Sequence, residues 1–252
     1  MLEVRNLSRN FGGLIAVSDL SFSVEENEIR GLIGPNGAGK TTTFNVISGF
    51  YAPSAGQVLF RGEDISGMRT SAIAARGLVR TFQATTLFQE LTVMENVLVG
   101  CHLRARTDPL RALVGADRRR EAAARDRTLE ILDFFGLGER GDDPAMSLPH
   151  GLQRALGIAV AFAADPKLLL LDEPFTGMNP EETRQMMEIA RRVRDRGVTL
   201  LLVEHDMQAV MGLCDRITVL NFGKLLTEGT PDEVRRHPDV IEAYLGAATD
   251  AA

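Results

Sequence analysis

The stretch GPNGAGKT, residues 34–41, combines residue types and a spacing that suit it to holding phosphate groups. Its glycines let the backbone curve closely around an anion, with successive N–H groups pointing inward. The lysine ammonium can reach the β- and γ-phosphates, and the following threonine hydroxyl can ligate Mg²⁺. We therefore expect a bound nucleoside triphosphate. The predicted binding positions are Gly34, Pro35, Asn36, Gly37, Ala38, Gly39, Lys40, Thr41 and Thr42.

Two elements must position this stretch. The apolar run EIRGLI before it predicts a buried strand, and TTFNVISGF after it predicts a helix. The N-terminus of that helix would point a partial positive charge at the phosphates. A glycine-rich turn with a chance lysine is the alternative, and the strand-to-helix context argues against it.

An acidic pair closes a second apolar run, LLLLDEP, residues 168–174. The run predicts a buried central strand, and we expect Asp172 at its end to hold Mg²⁺ through water. Glu173 is then placed to polarise an attacking water as a general base. Alone, such a pair would fit an ordinary solvated strand end. Its combination with the phosphate loop favours the catalytic interpretation.

The composition excludes several classes of function. A net charge of −6 among 252 residues leaves no basic surplus to neutralise phosphates, which argues against a nucleic-acid partner. The longest apolar run, ALGIAVAFAA at 155–164, is about half the roughly 20 residues that cross a bilayer. Two isolated cysteines, Cys101 and Cys214, suit a reducing compartment.

The order of predicted elements indicates an α/β fold. Short strands fill the first third, and helical patterns follow from Leu91. After Gly151 a helix over 152–164, the LLLLD strand, a helix over 181–196 and the strand VTLLLVEH at 198–205 alternate. Alternation of this kind predicts a largely parallel sheet covered on both faces, interrupted by a helical insertion.

Together, these motifs resemble the ATP-binding subunits of ABC transporters, from about Leu2 to Gly246. The resemblance implies a P-loop NTPase fold of ABC type with an antiparallel β subdomain. It also implies one ATPase domain over 1–252, with a core at 1–87 and 161–252 and a helical subdomain at 88–160.

The resemblance assigns further site residues. It implies that Phe11 stacks on adenine, that Gln83 in RTFQ contacts Mg²⁺ and the water, and that His205 in VEHD contacts the γ-phosphate. Alone, Phe11 would fit a core aromatic and His205 a strand-end histidine, and Gln83 would carry no signal. The implied catalytic set is Glu173, His205 and Gln83, and the implied metal set is Thr41, Gln83 and Asp172.

Shorter sequence motifs resemble one branch of the family. The segments GMNP and VIEAYLG are similar to the corresponding segments in ATPases of branched-chain amino acid importers. Within that group the chain resembles the longer of two paired ATPases. The implied partners are two integral membrane permeases, a second ATPase subunit or another copy of this chain, and indirectly an extracytoplasmic solute-binding protein. The implied location is peripheral, on the cytoplasmic face of the inner membrane. The alternatives are a subunit with impaired or regulatory turnover, and an ABC ATPase unconnected with transport.

One motif departs from the family pattern. Where relatives carry L-S-G-G-Q, this chain reads Leu148, Pro149, His150, Gly151 and Leu152. In the family this signature grips the γ-phosphate held by the partner subunit, so Gly151 is expected to contact a partner's ATP. Proline removes a hydroxyl and an N–H donor. We hypothesise that ATP is hydrolysed well at this chain's own site and poorly at the partner's site. The equal alternative is lineage drift, a change of sequence in this lineage with little effect on the rate of hydrolysis.

Overall fold

The chain forms two structural units. The computed structural model describes residues 1–81, 87–104 and 117–249. The first unit comprises Met1–Arg80, Lys167–Thr176 and the chain from Ala190 onward; the second comprises Thr81–Pro166 and Gly177–Ile189. None of the helices in the described ranges is long and apolar enough to cross a membrane.

A six-stranded sheet forms the centre of the first unit. Its spatial order is β10-β9-β3-β8-β7-β6, and every neighbouring pair is parallel except β9 with β10. The bounds are β3 Ile29–Ile33, β6 Leu78–Arg80, β7 Leu168–Asp172, β8 Thr199–Val203, β9 Arg216–Asn221 and β10 Lys224–Gly229. Every residue of β3, β7 and β8 is buried, as expected for parallel strands covered on both faces.

A second sheet of four antiparallel strands belongs to the same unit. Its order is β2-β1-β4-β5. The bounds are β1 Leu2–Phe11, β2 Leu14–Val24, β4 Ala55–Phe60 and β5 Glu63–Asp64. The alternating inner residues of these strands, among them Leu7, Leu20 and Val58, join Phe44 and Leu170 in one hydrophobic core. Burial of this shared core holds the two sheets of the unit together.

Helices complete the first unit. Their bounds are α1 Lys40–Ile47, α2 Thr70–Ala74, α7 Met207–Leu213, α8 Pro231–Arg236 and α9 Pro238–Thr249. Two have clear start signals: the Asp206 carboxylate accepts the first free N–H groups of α7, and Thr230 with Glu233 forms a capping box on α8.

The second unit is helical. Its helices are α3 Val93–Arg104, α4 Asp117–Phe134, α5 His150–Ala163 and the first part of α6 Pro180–Asp195, with 3-10 turns at Gly138–Arg140 and Ala145–Ser147. Helix α3 approaches α5 closely at Gly100, where an added Cβ would lie 2.3 Å from the Val160 carbonyl oxygen. The rings of Phe134, Phe135 and Phe162 form a second apolar cluster.

Two predicted boundaries differ from the structure by two residues each. Helix α5 begins at His150 rather than at 152, because Pro149 takes the capping position and its fixed φ suits a helix start. Strand β8 ends at Val203 rather than at His205, because the Glu204 side chain binds backbone N–H groups of the following loop. Each difference comes from a local contact at the end of an element.

Candidate nucleotide-binding site

Three neighbouring strands deliver the predicted site residues to one edge of the sheet. Strand β8 lies between β3 and β7, and Val203 on β8 is in register with both Leu32 on β3 and Asp172 on β7. The strands are parallel, so the chain leaves all three at the same edge. The phosphate loop follows β3, the acidic pair closes β7, and His205 follows β8. Ligands of open α/β sheets bind at this kind of edge.

The phosphate loop needs glycine where other chain segments approach it. Gly34 has φ 152°, and an added Cβ would lie 2.2 Å from the Leu220 carbonyl oxygen on β9. Gly39 has φ 98°, and an added Cβ would lie 2.6 Å from the Ala16 carbonyl oxygen on β2. Any larger side chain would displace the loop from β2 or β9. Its exposed central residues are Asn36 and Gly37.

Lys40 folds back over this loop. Its Nζ donates to the carbonyl oxygens of Gly34 at 2.6 Å and Pro35 at 2.9 Å. Burial lowers the pKa of this ammonium from its ordinary value, and the negative charge of Glu173 opposes that shift. Helix α1 begins at Lys40, and no side chain caps its N-terminus. The free N–H groups at that end, with the nearby ammonium, form a site suited to a phosphate group.

The oxygen ligands near the loop fit a magnesium ion. Thr41 is exposed at the start of α1, and Asp172 is buried at the end of β7. Throughout the described ranges, no cluster of three or more His, Cys, Asp or Glu side chains could hold a metal ion unaided. Mg²⁺ is commonly bound by one or two protein oxygens together with substrate phosphates and water, so a hydroxyl and a carboxylate suffice.

Arg80 makes a buried ion pair with Asp172, which sequence reasoning missed. Its Nη2 donates to Asp172 Oδ2 at 2.8 Å, and the two side chains are only 6% and 5% exposed. Its Nη1 donates to Asn45 Oδ1 on α1 at 2.7 Å and to Oγ of Ser48, the C-cap residue of α1, at 3.0 Å. The available signal was a charged residue that closes the strand LVR and is also the first residue of RTFQ.

Glu173 adopts a backbone conformation that is rare for its residue type. Its φ is 48°, in the left-handed region that L residues other than asparagine and aspartate seldom adopt. Its N–H donates to the Val203 carbonyl oxygen at 2.9 Å, and Thr176 Oγ1 donates to Glu173 Oε2 at 3.3 Å. Backbone strain of this kind concentrates at functional sites. Glu173 itself is half-buried.

His205 depends on a neighbouring carboxylate that the sequence did not identify. The imidazole is 60% exposed, and its Nδ1 lies 3.8 Å from Glu204 Oε2. The buried Glu204 side chain accepts backbone N–H groups on both sides of the site: Phe175 at 2.8 Å, His205 at 2.9 Å and Asp206 at 3.3 Å. One carboxylate therefore joins the loop after β7 to the loop after β8. An acidic residue directly after the apolar run TLLLV was the available signal.

Phe11 lies at the tip of the hairpin between β1 and β2. Its ring is 38% exposed and makes an edge contact with Tyr51 at 5.2 Å between centroids. The Arg9 guanidinium carbon lies 4.6 Å from the Phe11 centroid, which is cation–π distance. The hairpin continues along β2 to Ala16, which touches the phosphate loop at Gly39. The arrangement offers a partly exposed aromatic ring on a strand that leads to the loop.

Two predicted site residues are not placed with this group. Gln83 lies outside the described residues. Gly151 belongs to the second unit, near the start of α5, where an added Cβ would lie 3.0 Å from Glu182 Oε1 on α6. Pro149 occupies the N-cap of α5 and provides no side-chain hydrogen bond there. The first turn of this helix therefore lacks the hydroxyl that serine would supply.

Comparison with known proteins identifies relatives along almost the whole chain. The model of a family described as "ABC transporter" matches residues 17–176, and one described as "Branched-chain amino acid ATP-binding cassette transporter" matches residues 224–250. The chain is 46% identical over 251 residues to the high-affinity branched-chain amino acid transport ATP-binding protein LivG of Salmonella typhimurium, covering 98% of each chain. It is 44% identical to the corresponding BraF protein of Pseudomonas aeruginosa, with the same coverage.

A solved structure supports the same relationship. The ADP conformation of an ATP-binding cassette of an ABC transporter is 30% identical, with a TM-score of 0.86 and coverage of 98% of each chain. The predicted fold class, a mainly parallel core with an antiparallel sheet and an inserted helical part, is confirmed.

Proposed function

Because this chain belongs to the ABC transporter family, we propose that it is the ATP-hydrolysing subunit of a membrane importer. The observation that carries the proposal is the arrangement of Lys40, Asp172, Glu173 and His205 on loops that leave three adjacent parallel strands. These are the charged and titratable groups that phosphoryl transfer to water requires. We propose that residues 1–252 form one ATPase domain.

Binding begins at the phosphate loop. Lys40 exchanges its bonds to the Gly34 and Pro35 carbonyls for phosphate oxygens, and the N-terminal N–H groups of α1 bind the same anion. Phe11 offers its exposed ring to the base, supported from one side by Arg9 and Tyr51. When bound, Mg²⁺ would be held by Thr41, Asp172 and, from the family resemblance, Gln83, and would neutralise charge on the phosphates.

Glu173 and His205 carry the hydrolytic step. Glu173 accepts a proton from the attacking water, and its unusual φ and the bond from Thr176 fix where the carboxylate stands. His205 contacts the γ-phosphate from the loop that Glu204 anchors. Glu204 also binds the backbone of Phe175, so both loops keep a fixed separation.

We propose that the energy of this cycle drives solute import through two integral membrane permeases, with a second ATPase subunit or another copy of this chain completing the pair. Sequence identity to branched-chain amino acid transport proteins supports branched-chain amino acids, or related small amides, as the solute. The chain would then lie on the cytoplasmic face of the membrane. An extracytoplasmic binding protein would select the solute.

A Glu173→Gln variant tests the hydrolytic role. ATP turnover by the complex in vesicles should fall at least about a hundredfold, because a positioned general base contributes that much, while ATP binding remains within a few fold. Uptake of radiolabelled leucine should stop. The matched control is Glu26→Gln, an exposed position between β2 and β3, which should behave as the native protein.

The alternatives give different results in the same experiment. A regulatory subunit, suggested by the uncapped start of α5, would bind ATP with no turnover to lose in the Glu173→Gln variant. An ABC ATPase unconnected with transport would hydrolyse ATP and stay in the soluble fraction whether or not the permeases are present. Either result contradicts the importer proposal.

A further inference from the structure

We propose that Arg80 is a positioning residue that neutralises Asp172 until Mg²⁺ arrives, so that ATP can bind ahead of the metal. This inference rests on the proposed ATP site. It assigns a role to a residue that lies outside the phosphate loop and the acidic pair.

The first support is the burial of the ion pair. Arg80 and Asp172 are in direct contact at 2.8 Å, and both side chains are almost inaccessible to water. A carboxylate in such a place without a countercharge would carry a large desolvation cost. It would also repel a triphosphate placed at the same edge of the sheet. The guanidinium offsets part of the desolvation cost and reduces the repulsion.

The second support is the range of groups that Arg80 joins. One guanidinium contacts Asp172 at the end of β7, Asn45 on α1 and the α1 C-cap residue Ser48. Its carbon also lies 5.7 Å from the centroid of the Phe44 ring on the same helix. Helix α1 carries the phosphate loop and β7 carries the metal carboxylate. The planar fork of arginine therefore fixes the two halves of the site relative to each other.

The third support is the balance of charge. At the phosphate loop, the negative charge of Glu173 acts on Lys40 and opposes the lowering of the lysine pKa. Asp172 adds a further negative charge, and Arg80 is its ionic partner. When Arg80 is present, it compensates the negative charge of Asp172 before the triphosphate binds. Mg²⁺ supplies the same compensation once it is bound.

A double-mutant cycle of Arg80 and Asp172, with ATP binding measured in the absence and presence of Mg²⁺, tests this role. ATP binding to the full chain is measured by isothermal titration calorimetry in EDTA and again in Mg²⁺. In EDTA, Arg80→Gln should weaken ATP binding about tenfold or more, because the amide can still donate to Asp172 but carries no charge. In Mg²⁺ the same variant should lie within about threefold of the native protein. The control is Arg76→Gln, which removes an exposed ion pair with Glu63 and should change neither value.

Two more variants complete the cycle. In EDTA, Asp172→Asn should bind ATP more tightly than the native protein, because the Arg80 charge is then uncompensated. The double variant Arg80→Gln/Asp172→Asn should return to within about threefold of the native value. If Arg80→Gln does not fold, a tenfold difference between Asp172→Asn and the double variant still supports the role, since it isolates the same charge.

The outcomes separate the two proposals. If Arg80→Gln lost the same ATP affinity with and without Mg²⁺, Arg80 would have only a structural role. If all variants of the cycle bound ATP equally in EDTA, Arg80 would have no role in binding. Either result overturns the inference. A native protein that binds no ATP under either condition would instead contradict the proposed function itself.

Discussion

Replacing Glu204 with glutamine should loosen two loops of the ATP site at once. In the structure the fully buried side chain accepts the Phe175 N–H at Oε1, and the His205 and Asp206 N–H groups at Oε2. Glutamine is nearly the same size and shape, so no cavity forms. Its amide nitrogen is a donor, however, and wherever it points it must face at least one backbone donor.

The size of the effect follows from the number of bonds lost. In one orientation the amide loses the hydrogen bond from the Phe175 N–H. In the other it loses those from the His205 and Asp206 N–H groups. A hydrogen bond to a charged group contributes about 1.5–3 kcal/mol, so the free energy of unfolding should fall by at least about that amount. For a protein of this size, each kcal/mol lowers Tm by about 2–4 °C, which gives a drop of roughly 3–12 °C.

Thermal unfolding followed by circular dichroism measures this drop, with Glu26→Gln as the exposed control. We also expect ATP turnover to fall more than ATP affinity, because the loops of His205 and Phe175 move while the phosphate loop keeps its own contacts. A Tm within 1 °C of the control, on the order of a surface substitution, would refute the anchoring role of Glu204.

Two other predictions concern the phosphate loop and the start of α5. The ammonium form of Lys40 binds phosphate and its pKa is lowered by burial, so ATP affinity should be full at low pH and decline as pH rises through a value below that of an ordinary lysine. Titrations between about pH 7.5 and 10 should show this decline in the native protein and none in Lys40→Arg, whose charge persists; a flat native profile would contradict it. Pro149→Ser should raise Tm, since a serine N-cap contributes about 1 kcal/mol, and should increase ATP turnover in the assembled complex; unchanged turnover would favour lineage drift.

The strand-to-helix placement of residues 34–41 and the strand-end placement of the acidic pair were predictable because their signals are local. The eight residues 34–41 contain both the conformational and the chemical requirements of a phosphate loop, and LLLLDEP combines a buried strand with its polar end. The start of helix α7, Met207–Leu213, has an equally local signal, because Asp206 caps the helix from the adjacent position. Such features need no knowledge of distant parts of the chain.

Arg80 and Glu204 could not be identified in this way. Arg80 meets a partner 92 residues away, and Glu204 binds a backbone group 29 residues away. Neither distance leaves a periodic trace in one sequence. The same is true of the irregular register between β1 and β2, where shifts at Leu7, Arg9 and Asn10 depend on cross-strand fit. Arg80 and Glu204 share one sequence signal: each is a charged residue at, or directly after, the end of an apolar strand.

The position of β3 determines when the site can form during synthesis. This strand carries the phosphate loop, is complete by Ile33, and pairs only with β8 and β9 within the described sheet. Both partners lie beyond Val198, so the ribosome must complete most of the 252 residues before either side of β3 is covered. Pairing between such distant segments is slow. A nascent chain therefore lacks the assembled ATP site until β8 and β9 have emerged, and the apolar β3 segment stays unpaired in its sheet until then.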